Sequence, residues 1–231
     1  MRNTEHDYRI SLNSVLTMLD STYLSTESLA QPQNCWIRVS TACNVVCPLC
    51  PRQHLEPVDS GNMPFDEFQR VASQMVGIER ASLLGLGEAM LHRRFFDFVE
   101  ECHARGMFVF TSTNGMVLNE EMCRRVVESG IEEFNISMDA CTPELFNRLR
   151  LGADFEHICT NMKRLSRLRA ESGGKLPFLF VSCTVSTENV HEFHTMVPFV
   201  HEMGFDSIIF LDFLAAKEHL AHYAVQNTEE F

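Results

Sequence analysis

The sequence predicts an α/β fold: a partial (β/α)6 barrel of TIM type with parallel strands, preceded by an N-terminal helical extension. Three observations carry this. Six apolar, β-branched or aromatic runs alternate with amphipathic segments of helical period. Glycines punctuate the helix ends, at Gly77, Gly106, Gly130 and Gly204. Polar and reactive residues gather just beyond the C-terminal ends of the runs, the edge where parallel α/β sheets and barrels place their sites.

In chain order, residues from about Tyr8 to Leu29 carry Ile10, Val15, Leu16, Met18 and Leu19 at helical spacing, so residues 1–34 read as a helical extension. Residues 35–231 read as the barrel. Its strands fall at about 35–42, 80–86, 107–112, 132–138, 177–185 and 206–213. Helices fill about 65–76, 91–105, 118–129, 143–170 and 189–203. Strands that alternate with helices pair in parallel through right-handed crossovers. No internal repeat or low-complexity linker divides the chain.

Composition narrows the function. Of 231 residues, 45% are hydrophobic, enough for a substantial core. The net charge of −12 opposes a nucleic-acid backbone as partner, because phosphate neutralisation needs clustered Lys and Arg. It equally opposes an anionic membrane surface, and no apolar run approaches the ~20 residues of a membrane span. Nine cysteines without a signal-peptide core point to a cytoplasmic protein that uses thiolates rather than disulfides.

Three of those cysteines stand together after the first strand, in Cys43-Asn44-Val45-Val46-Cys47-Pro48-Leu49-Cys50. With 9 Cys in 231 residues, chance would give this spacing about 0.01 times. Three thiolates on one loop can ligate three irons of a cubane cluster and leave the fourth open for chemistry. A structural zinc loop is the alternative, but it usually draws four ligands from two close pairs. The other six, Cys35, Cys102, Cys123, Cys141, Cys159 and Cys183, are scattered, as small core residues are.

Later strand ends add polar groups. Gly85-Leu86-Gly87-Glu88 follows the second strand: two glycines would let backbone approach a ligand, and Glu88 can hold an ammonium group. Thr113-Asn114-Gly115 follows the third, as a turn signal. Ser137 and Asp139 share one face of the fourth strand, and Ser182, Thr184 and Ser186 one face of the fifth. Either a satisfied internal network or a polar ligand accounts for such a face.

Taken together, these four signatures, in this order over about residues 35–215, resemble the radical S-adenosylmethionine (SAM) superfamily. The Cys-Pro-Leu-Cys-Pro segment, Arg148-Leu149-Arg150-Leu151-Gly152 and Phe155 resemble its SPASM/twitch-like branch. The resemblance implies that Cys43, Cys47 and Cys50 ligate a 4Fe–4S cluster, whose open iron is chelated by the methionine amino and carboxylate groups of SAM. It implies that Gly85, Gly87 and Glu88 receive the methionine ammonium, with Thr113 and Asn114 in the adjoining turn. Ser137 and Asp139 would meet the ribose or methionine, and Arg150 the methionine carboxylate. Ser182 to Asn189 and Leu211 would border adenine and ribose. Cys141 and Cys183 are candidate hydrogen donors to a product radical, their other role being that of small buried residues.

The chain departs from the family's pattern in having Leu49 where an aromatic often precedes the third cysteine, and Ala89 where Pro often follows the Gly-Glu motif. No closely spaced cysteines for an auxiliary cluster follow the sixth strand, which suggests either a minimal core or a shortened version of a longer protein. The implied reaction is reductive cleavage of SAM to a 5′-deoxyadenosyl radical that takes hydrogen from a peptide or small-metabolite substrate. The electron would come from a low-potential donor of flavodoxin or ferredoxin type. Two other classes stay open: an iron–sulfur electron-transfer or scaffold protein, and a zinc-stabilised binding module.

Overall fold

The computed structural model describes residues 32–54, 61–215 and 217–225; the expected N-terminal helix at Tyr8–Leu29 lies outside them. Among the described residues six strands form one sheet in sequential order: β1 (Asn34–Ile37), β2 (Arg80–Leu83), β3 (Phe108–Thr113), β4 (Glu133–Ser137), β5 (Phe178–Val185) and β6 (Ser207–Asp212). Every neighbouring pair is parallel. β1 and β6 are the two edges, so the barrel is open.

Among the described residues six α-helices connect the strands: α1 (Phe65–Ala72), α2 (Phe95–Ala104), α3 (Glu120–Glu128), α4 (Pro143–Leu149), α5 (Phe155–Glu171) and α6 (Phe193–Glu202). Period two on the strands sends Val109, Phe134, Ile136, Leu179 and Val181 to the buried side of the sheet. They join one core with Phe98, Val126, Ile158, Met162, Leu165 and Val200 from the helices. Burying each such side chain contributes about 1.5–3 kcal/mol. Cys102, Cys123, Cys159 and Cys183 lie in this core as small apolar residues, and burial pushes the Cys102 and Cys183 thiols up to about 12. The opposite, inner face of the sheet is left free to form a cavity.

Two elements differ from expectation. The first strand stops at Ile37, because the chain then turns to meet residues 61 and 62: Ser40 bridges Asn62, and the Thr41 amide donates to the Gly61 carbonyl at 2.9 Å. The single helix expected at 143–170 is two helices. Gly152 adopts φ +87°, which an L side chain disfavours, and Asp154 caps α5 by accepting from the His157 amide at 2.8 Å. The break docks on the cysteine loop, where Val46 and Leu151 exchange two antiparallel backbone hydrogen bonds of 2.8 and 3.1 Å.

Gly87 holds that loop from the other side. Its amide neighbour Glu88 donates to the Ala42 carbonyl at 2.7 Å. A methyl group on Gly87 would lie 2.6 Å from the Ala42 carbonyl oxygen and 2.7 Å from backbone atoms of Ser40 and Thr41. The glycine is therefore needed for the close approach of two loops of the protein itself. At Gly85 the same methyl would meet only the Arg38 side chain, which is exposed and can move. We expect Gly87→Ala to destabilise the fold by about 1–3 kcal/mol, the scale of overpacking, with Gly85→Ala much milder. Thermal melts on both variants check this; equal effects would contradict the loop contact.

Candidate functional site

A cavity of about 800 Å³ lies on the inner face of the sheet, towards the C-terminal ends of the strands. Cys43, Cys47 and Cys50 all line it. Their loop has little regular structure and is tied down locally. The Cys50 amide donates to the Cys47 carbonyl at 3.0 Å, and a short 3-10 turn, Pro51–Gln53, follows. Arg52 Nε donates to the Thr41 carbonyl at 3.1 Å, and His54 Nε2 lies 2.5 Å from the Pro48 carbonyl. These two side chains brace the loop. Burial pushes the Cys47 thiol up to about 11, against the opposing pull of the Arg150 charge. Among the described residues, no three His, Cys, Asp or Glu side chains are gathered for a single ion.

Glu88 is the most connected group at the site. It is 2% exposed. Its Oε1 accepts from the Met90 amide at 3.2 Å and its Oε2 from the Asn114 amide at 2.7 Å. Burial pushes its carboxyl up, while those amides, the Thr113 hydroxyl and the Arg150 charge pull it back. Asn114 returns the connection: its Nδ2 donates to Asn44 Oδ1 at 2.7 Å and approaches Cys43 Sγ at 3.9 Å. Thr113 Oγ1 accepts from the Gly115 amide at 3.1 Å, which shapes the turn. So the Gly-Glu and Thr-Asn-Gly signatures meet each other and the cysteine loop.

Asp139 and Arg150 form the second charged element. They pair at 2.7 Å with both side chains nearly buried. Asp139 Oδ1 also accepts from the Thr184 amide at 2.9 Å. Burial works against the Arg150 charge, but Asp139 beside it holds the guanidinium above its ordinary value. Arg150 Nε is buried with no hydrogen-bond partner. Asn189 ties the neighbouring strand exits together by donating to the Asp139 and Thr184 carbonyls at 2.7 and 2.9 Å.

The remaining residues expected at the site also line the cavity: Gly85, Gly87, Ser137, Ser182 and Leu211. Cys141 does not. Its thiol points to Thr195 Oγ1 at 3.0 Å and Glu192 Oε2 at 3.4 Å, on the helical side of the fold, where Glu192 also accepts from the Cys141 amide at 2.7 Å just before α4. Cys183 points into the core. Neither thiol lines the cavity.

Asn135 and Phe213 are among the wall residues that sequence reading missed. Asn135 lies mid-strand on β4 and donates to Ser112 Oγ and Ser182 Oγ at 2.8 Å each; only its inward register on β4, shared with Ser137 and Asp139, could have signalled it. Phe213, just past β6, lines the cavity and packs with Leu220 and Ala224 against Leu49.

Comparison with known proteins agrees with this geometry. Over 178 residues the chain is 28% identical to the tungsten-containing aldehyde ferredoxin oxidoreductase cofactor-modifying protein of Pyrococcus furiosus, covering 75% of this chain and 49% of that one. It is 23% identical over 190 residues to a probable GTP 3′,8-cyclase of Methanocaldococcus jannaschii, covering 81% and 61%. The chain thus spans about half the length of the curated relatives it matches. Among solved structures, Streptococcus suis SuiB bound to precursor peptide SuiA superposes with a TM-score of 0.66 at 15% identity, over 85% of this chain and 42% of that one. Native anSMEcpe with bound AdoMet gives 0.62 at 22% identity, over 80% and 53%. These likenesses show the fold. The sequence profile of the radical SAM superfamily matches residues 37–199, from the end of β1 into α6, so this chain belongs to the radical SAM superfamily, whose members use an iron–sulfur cluster and cleave SAM.

Proposed function

We propose that this protein is a radical SAM enzyme with a 4Fe–4S cluster on Cys43, Cys47 and Cys50, acting on a peptide or a small metabolite. The observation that carries the reading is the company these thiols keep. One cavity wall holds the three cysteines, a buried carboxylate and a buried arginine whose Nε has no partner. An unsatisfied buried N–H is costly, and the carboxylate of a bound methionine moiety would satisfy it. Three cysteines spread around a cavity also suit a cubane, in which each thiolate takes a different iron. When bound, the cluster and SAM supply a low-potential electron and a 5′-deoxyadenosyl radical able to remove hydrogen from an unactivated carbon.

The chain's own residues would then bind and orient. Glu88 keeps an acceptor position beyond its two amide bonds and the Thr113 hydroxyl, since a carboxylate offers about four, and this suits an ammonium group. Ser137 and Ser182 offer hydroxyls to a ribose. Leu211 and Phe213 offer an apolar edge to adenine, and Phe213 stands beside Leu49, where the superfamily often has an aromatic. The mostly apolar wall limits water near a reactive carbon. A flavodoxin- or ferredoxin-type donor and a cytoplasmic setting go with this chemistry. Among the described residues no helix is long and apolar enough to cross a membrane. A peptide substrate draws support from SuiB bound to its precursor peptide and from anSMEcpe bound to AdoMet and a Cp18Cys peptide. The cyclase relatives support a nucleotide instead.

The test is electron paramagnetic resonance on anaerobically reconstituted, reduced protein, with and without SAM. A 4Fe–4S signal that SAM perturbs is the expected result. A signal indifferent to SAM would favour electron transfer or a scaffold role, and zinc in place of iron would favour a binding module. Cys47→Ala should abolish the cluster and 5′-deoxyadenosine formation while leaving the melting temperature little changed, because the ligand lies on a loop. Persistent 5′-deoxyadenosine would sink the ligand assignment. Glu88→Ala should weaken SAM binding by roughly 1.5–3 kcal/mol and also destabilise the fold by about 1–3 kcal/mol, because two buried amides lose their acceptor. Calorimetric titration with unchanged SAM affinity would remove Glu88 from the cofactor site and leave it a purely structural clamp.

A further inference from the structure

The cavity extends well below the level of the cysteines, down the inner face of the sheet, and that lower wall has its own chemistry. Asn135 stands at its centre, 4% exposed. Its amide nitrogen spends both hydrogens on Ser112 and Ser182, and its Oδ1 is buried with no partner. Turning the amide over would leave two hydrogens unmatched instead of one oxygen, so the observed orientation is the better satisfied. Phe110 and Phe180 stack near it with ring centres 5.8 Å apart, and both line the cavity.

The charges on the same wall are informative. Among the described residues, the cations lining the cavity are Arg80 and Arg150, and each is committed to a carboxylate, Glu133 and Asp139. Arg80 is further spread over the Phe108 and Phe110 rings at 4.6 and 5.3 Å. With Glu88 and Asp212, four carboxylates line the cavity beside two guanidinium groups. A group carrying three or four negative charges would meet repulsion here rather than a counter-charge.

We infer that Asn135 is a specificity-determining residue: its side-chain oxygen accepts a hydrogen bond from an N–H or O–H of a neutral or cationic, partly apolar substrate such as a peptide segment, and the wall around it discriminates against a nucleoside triphosphate. This rests on the radical SAM reading of the same cavity and assigns its substrate class. A buried polar atom left unpaired favours the ligand that satisfies it and rejects the analogue that does not.

Trp36, the single tryptophan, lines the same cavity and is 80% exposed, so its fluorescence reports occupancy without requiring turnover. The full-length reconstituted protein is titrated with N-acetylated, C-amidated tripeptides, neutral and lysine-containing, and separately with GTP. The expected result is saturable quenching by members of the tripeptide set, none by GTP, and at least tenfold weaker binding in Asn135→Leu. Asn135→Asp keeps the shape and adds a charge, so it should raise the preference for lysine-containing over neutral probes by several-fold, a change that a structural role would not produce. Saturable quenching by GTP, no quenching by any tripeptide, or an unchanged charge preference in Asn135→Asp overturns the inference. The paramagnetic resonance of the unsubstituted protein is recorded beside it. Loss of the SAM-responsive signal defeats the radical SAM reading itself, whereas its presence together with GTP binding defeats only the substrate assignment.

Discussion

The site depends on one carboxylate that spans three loops. Glu88 gives its amide to the cysteine loop at Ala42 and takes amides from Met90 and Asn114 into its carboxylate. Asn114 closes the circuit on Asn44, back in the cysteine loop. None of the three loops has enough regular structure to fix itself. Each strand end instead delivers one corner, and a buried, charge-assisted set of hydrogen bonds joins them. Such a network rigidifies when every member is satisfied. Here two buried atoms of cavity-lining residues, Arg150 Nε and Asn135 Oδ1, are the ones left over.

Those two atoms divide the cavity into levels. The upper level, at the strand ends, holds the cysteines, Glu88 and the Asp139–Arg150 pair. The lower level, along the strands, holds Asn135, the stacked phenylalanines and the Arg80–Glu133 pair. Parallel strands in register produce this naturally: Ser112, Asn135 and Phe180 are aligned neighbours across three strands, as are Ser137 and Ser182. Both levels thus share one rigid support, and their relative height is a property of the sheet rather than of any loop.

The features legible in the sequence were those that depend on near neighbours. Period two and period 3.6, glycine punctuation and the cysteine spacing all act within a few residues, so the six strands, their order and the strand-end motifs could be read directly. The cysteines, Glu88, Asn114, Asp139 and Arg150 do share one cavity. What stayed hidden depends on distant partners. Gly87 looked like a place for a ligand to approach, but its space is taken by residues 40–42. Arg150 sits at the break between two helices that read as one, because the docking partner of Leu151 is Val46. Cys141 follows directly on a site strand, yet the turn into α4 carries its side chain to Glu192 on the other side of the sheet.

The Val46–Leu151 bridge also bears on how the protein is made. The cysteine loop leaves the ribosome early, while the segment that latches it comes from residues 150–152, three strands later in synthesis. Until β4 is paired and α4 has ended, nothing holds the loop from that side, and its three thiols face the solution as ordinary reactive cysteines. The geometry of the cysteine loop is therefore a late product of assembly, and its three thiols stay loosely tethered until the latch closes.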